Sequence, residues 1–181
     1  MLFRIGEVIV PKHKIMAKVR EFGQQISADY EGKDLILVGV LKGGFVFMAD
    51  LIREITIPCT VDFIAVSSYG TSTVSTGTVK ITKDLDTDIE GKHVIIVEDL
   101  VDTGLTLDYL RTFFATRKPA DIKACALLDK PAKRKVNIQA DYTGIEIPDV
   151  FVVGYGLDYA GKYRNLPEIH TINANLTQIK R

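Results

Sequence analysis

Three acids, Glu98, Asp99 and Asp102, follow directly on the apolar run 94–97 and lead into Thr103, Gly104, Leu105 and Thr106. Side-by-side carboxylates such as Glu98 and Asp99 suit two neighbouring sugar hydroxyls, or a hydrated Mg²⁺. Thr103, Gly104 and Thr106 offer hydroxyls and open backbone N–H groups, which at a helix N-terminus form a phosphate cradle. Asp102 stands beside that cradle, placed to handle a proton near a bound sugar. A purely structural account also exists: Asp102 as a helix cap, and the paired acids as a solvated strand end. That account gives no reason for three acids to gather at the end of one strand. The segment reads as a binding site.

Such a site needs a strand in front of it and a helix behind. Residues 93–97 have the short, branched, continuous pattern of a buried strand, and 104–116 are helical in pattern. The same alternation runs through the chain. Ile15, Val19, Phe22 and Ile26 recur at helical spacing, with Pro11 suited to that helix's first turn. Residues 35–40 form another buried strand, Gly43 and Gly44 break it, and 45–55 are helical again. Further strands fall at 61–66 and 122–128. This order predicts an α/β fold with a mainly parallel central sheet flanked by helices, with ligands at the carboxyl ends of the strands.

Two segments break the pattern. Residues 67–78 are almost all small and polar with no apolar period, as in a linker or a mobile functional loop. Their flanks belong to one alternating strand pattern, which favours the loop. Residues 142–156 show strands and turns without a clear helix, and predict a small subdomain laid over the sheet.

Composition narrows the function. The formal net charge of +0 leaves no basic excess for a nucleic acid or an anionic membrane. Cys59 and Cys125 lie far apart among apolar residues and predict two reduced, buried thiols. The start Met1-Leu2-Phe3-Arg4 has no apolar export segment, and no apolar run could span a bilayer, so a cytoplasmic protein is expected. Asp84, Asp86, Asp88 and Glu90 alternate, but Ile89 and Ile95 stand where a Ca²⁺ loop needs Gly and Glu. His13, His93 and His170 share no spacing with acids or cysteines, and no role is assigned to them. Beyond Lys130, the cluster Lys133, Arg134 and Lys135 reads as a solvated face.

The stretch from Val94 to Thr106 resembles the phosphoribosyl pyrophosphate signature of type I phosphoribosyltransferases, in the form found in hypoxanthine-guanine phosphoribosyltransferases. The resemblance covers nearly the whole chain. Leu41-Lys42-Gly43-Gly44 is similar to the family's pyrophosphate loop, where the Lys42–Gly43 peptide can adopt the rare cis form. Ser68-Tyr69-Gly70 resembles the start of its mobile lid, expected from Ser67 to about Thr82. Lys130 matches the lysine that hydrogen-bonds the purine 6-oxo group, Phe151 the aromatic that stacks on the base, and Val152 the residue whose backbone reads its edge. Asp158 matches a Mg²⁺-associated acid whose backbone also lies by the base, and Arg164 an arginine on pyrophosphate. Glu146-Ile147-Pro148-Asp149 resembles the purine-type hood and not the orotate or uracil branches. Val150 stands where vertebrate forms have lysine, and the short N-terminus resembles bacterial members.

The resemblance implies one phosphoribosyltransferase domain over 1–181, its hood formed by the N-terminal strand and roughly 130–181. It implies a purine salvage enzyme that joins hypoxanthine or guanine to 5-phosphoribosyl 1-pyrophosphate (PRPP), giving IMP or GMP and pyrophosphate. Glu98, Asp99 and Asp158 would hold Mg²⁺, and Lys42, Gly43 and Arg164 the pyrophosphate. Backbone groups from Asp102 to Thr106, Leu105 included, would anchor the 5′-phosphate. Asp102 would accept the N7 proton while Lys130 donates to O6. A homodimer or homotetramer is implied. The competing expectation is a non-catalytic regulator that senses PRPP or a nucleotide on the same fold. It would need a DNA-binding module or a basic RNA-binding face, whereas this chain keeps Asp102, Lys130 and Asp158 together.

Overall fold

Strands buried on both faces must send alternate side chains into two separate cores. Leu35, Leu37, Ile95, Val97, Cys125 and Leu127 do so on one side, packing against Ile15, Val19 and Phe22 of one helix and Phe47 and Leu51 of another. Ile36, Val38, Val94, Ile96, Ala124 and Ala126 point the other way, onto Leu107, Leu110 and Phe114 of a third helix. The continuous apolar runs in the sequence are thus the middle layer of a three-layer α/β fold. The structure, a computed structural model, describes residues 5–68 and 79–172.

Along the chain the elements are β1 (Ile5–Val10), α1 (Lys12–Asp29), β2 (Leu35–Leu41), α2 (Phe45–Glu54), β3 (Thr60–Ser68) and β4 (Val79–Lys83). They continue as β5 (His93–Val101), α3 (Leu105–Ala115), β6 (Asp121–Asp129), a 3₁₀ turn at Pro131–Lys133, β7 (Tyr142–Glu146), β8 (Val152–Val153) and β9 (Ile169–Ile172). The six-stranded sheet has the order β4-β3-β2-β5-β6-β7. All its pairings are parallel except β3 with β4. A small antiparallel sheet, β1-β9-β8, stands apart from it.

This order has a functional consequence. From β2 the chain moves outward to β3 on one side and then returns to β5 on the other. The loops leaving β2 and β5 therefore diverge, and a crevice opens between them at the carboxyl ends of the strands.

Some elements differ from the sequence-based expectation. β5 runs through the acids to Val101, because β6 is equally long and pairs with it up to Val101↔Asp129. Residues 142–146 do not join the small sheet; they add to the main one as β7, parallel to β6, where Tyr142 is buried. The flanks of the 67–78 segment are strand ends, with Ser67 opposite Lys80. Tyr69 and the rest of that segment lie outside the described residues. The acidic stretch before β5 folds onto Asp62, whose carboxylate accepts the Asp86 and Thr87 N–H groups. Pro11 sits one position before the first turn of α1, as its N-cap.

Candidate active site

The loop after β2 enters the crevice first. A cis peptide lies in it between Leu41 and Lys42, one bond earlier than the Lys42–Gly43 position expected from the sequence. Gly43 then passes so close to β5 that a Cβ there would sit 1.7 Å from Asp99 Oδ2. Any larger residue would have to displace that carboxylate. Gly43 is a requirement of close approach.

The loop after β5 faces it. Gly104 is the N-cap of α3 with φ +84°, a left-handed conformation that glycine adopts without strain, and the side-chain bond at this end is a long one from Leu105 N–H to Thr103 Oγ1 at 3.4 Å, with none to Asp102. Asp102 is therefore not a helix cap. The first turn of α3 instead leaves N–H groups for a ligand. A Cβ at Gly104 would meet Ile138 Cγ2 at 2.6 Å, so the loop is also backed tightly from behind. Arg134 reinforces that backing: it donates to the carbonyls of Val101 (3.1 Å) and Asp102 (2.5 Å) and pairs with Asp129. Lys135 N–H adds a bond to Thr103 O at 2.9 Å.

The side chain of Asp102 is thus aimed by its neighbours. Its Oδ1 is buried without a partner among the described residues, while Oδ2 lies 3.7 Å from Lys133 Nζ. Lys133 also reaches Asp149 Oδ1 at 3.0 Å. Lys130, 4% exposed, donates from Nζ to Val150 O at 2.7 Å. Burial lowers the Lys130 pKa, partly offset by the Asp102 charge. A lysine has three donors, so two remain for a ligand acceptor.

Glu98 and Asp99 lie deeper. Burial pushes Glu98 well above the usual carboxylate range, and the charge of Asp99 adds to it. Burial also raises Asp99, with the Leu100 N–H and Arg164 pulling the other way. Carboxyls held up by burial and by a neighbouring acid, Asp99 for Glu98 and Asp158 for Asp99, are sites that a cation would relieve. Among the described residues no three acid, histidine or cysteine side chains form a closed metal cage. That donor set fits Mg²⁺, which takes one or two carboxylates and completes its shell with water and substrate oxygens.

Residues 146–166 close the crevice from above. Asp158 Oδ1 pairs with Arg164 Nη2 at 2.7 Å, and its Oδ2 accepts the Gly161 N–H at 2.7 Å. Phe151 presents its ring, 55% exposed, edge-on to Tyr159, while the neighbouring Val152 is buried in β8. A cavity of about 670 Å³ results, lined by Lys42, Asp102, Lys130, Phe151, Val152 and Arg164 among others. A second, of about 200 Å³, lies over Glu98, Asp99, Thr103, Gly104 and Thr106. Asp99, Asp102 and Gly43 border both.

Most residues expected from the sequence thus converge. Leu105 opens α3 and borders neither cavity, so any part it has is through its backbone. Ser68 ends β3, and Tyr69 is outside the described residues. Three residues were missed: Lys133 and Asp149, which line the larger cavity, and Arg134 behind the phosphate loop. The basic cluster that contains two of them was visible, but the 3₁₀ turn that bends it back into the crevice was not.

Open N–H groups at a helix start, a buried acid pair and a cavity of about 670 Å³ at the carboxyl ends of a mainly parallel sheet place the chain among α/β proteins that bind a ligand at the topological switch point. The phosphoribosyl transferase domain family matches residues 7–160, and the chain belongs to that family. It is 53% identical to the hypoxanthine-guanine phosphoribosyltransferase of Bacillus subtilis, over 91% of this chain and 92% of that one. It is 50% identical to the hypoxanthine phosphoribosyltransferase of Escherichia coli K12, over 90% and 93%. Among solved structures, a hypoxanthine-guanine phosphoribosyltransferase of Bacillus anthracis superimposes with a TM-score of 0.90 at 50% identity, covering 94% of this chain and all of the other. Among the described residues no helix is long and apolar enough to cross a membrane.

Proposed function

We propose that this protein joins hypoxanthine or guanine to PRPP, forming IMP or GMP and releasing pyrophosphate, with Mg²⁺ as cofactor. The observation that carries this reading is the cavity where Lys42, Arg164, Asp102, Lys130 and Phe151 meet above the β5–α3 loop. In the reaction the bond from C1′ to pyrophosphate breaks and the bond from C1′ to purine N9 forms, through an oxocarbenium-like transition state. The backbone of Asp102 to Thr106 anchors the 5′-phosphate, and Glu98 and Asp99 fix the ribose hydroxyls so that C1′ is held in line. Phe151 stacks on the purine, and Val152 reads its edge through the backbone. Asp102 takes the N7 proton, which makes N9 a better nucleophile, while Lys130 donates to O6 as negative charge grows there. Lys42 and Arg164 offset the charge on the departing pyrophosphate. Mg²⁺, held through Glu98, Asp99 and Asp158, would supply further neutralisation of that charge. The small sheet β1-β9-β8 and residues 147–168 act as a hood within a single domain.

The test is nucleotide formation from hypoxanthine and PRPP, followed by absorbance. Rapid formation with Mg²⁺, and loss of it in excess EDTA, is the expected result. No nucleotide at any Mg²⁺ concentration, alongside tight PRPP binding, would leave a sensor on an enzyme's fold. Gly43 gives a second check. Because a Cβ there collides with Asp99, Gly43→Ala is expected to lower kcat/KM for PRPP by about 100-fold, as misplacement of about 1 Å does. Steady-state kinetics that match the wild type would contradict the shared role of Gly43 and Asp99.

A further inference from the structure

We propose that Tyr155 is a positioning residue whose hydroxyl, bonded to Asp50, sets the spacing between the two halves of the pyrophosphate site; the inference rests on the phosphoribosyl-transfer reading above. One half, Lys42 and Gly43, lies just before α2. The other, Asp158 and Arg164, lies on the loop that follows β8. Nothing in the local sequence joins them.

The loop after β8 has an unusual backbone. Gly154, Tyr155 and Gly156 are three consecutive left-handed residues, with φ of 101°, 48° and 99°. A side-chain-bearing residue rarely adopts this conformation, and it persists only where the surroundings hold it. Part of the hold is backbone: Tyr155 N–H donates to Leu166 O at 2.7 Å, and Gly156 N–H to Arg164 O at 3.0 Å. Arg164 returns a bond from Nη1 to Gly156 O at 2.6 Å. The segment bearing Asp158 and Arg164 is therefore braced across its own loop.

Two contacts dock that unit onto the β2–α2 loop. A Cβ at Gly156 would lie 2.1 Å from Gly43 O, so the two backbones touch with no slack. The Tyr155 ring, 5% exposed, enters the core shared with α1 and α2, and its hydroxyl donates to Asp50 Oδ2 at 2.6 Å. Asp50 belongs to α2, whose first residue follows Gly44, and its other oxygen pairs with Arg53. Burial, then the Asp50 bond, holds the hydroxyl in its donor form.

Packing alone does not call for that hydroxyl. A phenylalanine would fill the same core without a polar atom to desolvate, and a buried hydroxyl is unfavourable unless bonded. What the hydroxyl adds is direction. An apolar ring can slide, whereas a directional bond to a carboxylate carried on α2 favours one register of hood against α2. The distance from Lys42 to Arg164 is thereby set.

The test pairs calorimetry of magnesium pyrophosphate binding with steady-state kinetics on Tyr155→Phe, Asp50→Ala and Asp50→Asn. Loss of one such bond is expected to weaken pyrophosphate binding and raise the PRPP KM by about 5- to 10-fold in Tyr155→Phe and Asp50→Ala. The hypoxanthine KM should stay within about 2-fold, and Asp50→Asn, whose amide oxygen still accepts, should recover most of the affinity. A lowered Tm with unchanged pyrophosphate affinity would make the bond merely stabilising and overturn the proposal. So would an equal rise in both KM values, or a wild-type protein with no affinity for magnesium pyrophosphate. If the wild type binds magnesium pyrophosphate but forms no nucleotide, the catalytic reading fails, and calorimetry still decides the role of Tyr155.

Discussion

Asp102→Asn is expected to lower turnover by about 10²- to 10⁴-fold, the contribution of a well-placed general base, while both KM values stay within a few-fold. The amide keeps the shape of the carboxylate and can still accept a hydrogen bond. It cannot take a proton. The carboxylate's structural tie is a long one, Oδ2 to Lys133 Nζ at 3.7 Å, and Lys133 keeps its closer pair with Asp149 when that tie is weakened. The N-cap of α3 is Gly104 with no side-chain bond, and Asp102 Oδ1 is a buried acceptor without a partner among the described residues. The loop itself is held through the Asp102 carbonyl by Arg134, which the substitution leaves alone. Steady-state kinetics decide: a turnover number near that of the wild type removes Asp102 from proton transfer.

Lys130→Met should lower kcat/KM for hypoxanthine by about 10²- to 10³-fold, the usual loss when one donor to a developing oxyanion is removed. Methionine fills the volume of the lysine stem, so the hood should remain packed. The Val150 carbonyl loses its partner, but Val150 is exposed and water can replace the bond, so the Tm should change little while the kinetic loss is large. The lysine also carries base choice. Adenine presents an amino donor at position 6, facing the Lys130 ammonium donor-to-donor. A site built around a hydrogen bond rejects a partner that cannot make it by about 10⁴-fold or more. In Lys130→Met that ratio should collapse, because hypoxanthine loses its advantage. An unchanged hypoxanthine-to-adenine ratio, measured under one set of conditions, would show that another group reads position 6.

The sheet was legible because its central strands are buried on both faces. Residues 35–40 and 94–97 are runs without a charged or polar side chain, and such runs have few other places to go. The site was legible for the opposite reason: three acids and a Thr-Gly-Leu-Thr turn make poor sense except around a ligand. What escaped depended on partners distant in sequence. β7 is short, and Tyr-Thr-Gly-Ile-Glu has a weak pattern that becomes a strand only when β6 offers a parallel edge. The extension of β5 through Glu98, Asp99 and Val101 was hidden because acids read as loop, while the pairing to β6 continues regardless. Lys133 looked solvated because a charge cluster does not reveal which of its members a turn folds inward. Tyr155 and Asp50 lie 105 positions apart, and each alone looks like an ordinary core aromatic and an ordinary helix acid.

The decisive measurement is nucleotide formation by the wild-type protein with PRPP and Mg²⁺, given hypoxanthine, guanine, xanthine or adenine separately. Turnover of hypoxanthine or guanine, with none detectable for adenine, is the predicted result and supports the reaction and the role of Lys130 together. Comparable turnover of adenine would contradict the assignment of Lys130. Turnover of no base at all would contradict the assignment of the cavity as a transferase site.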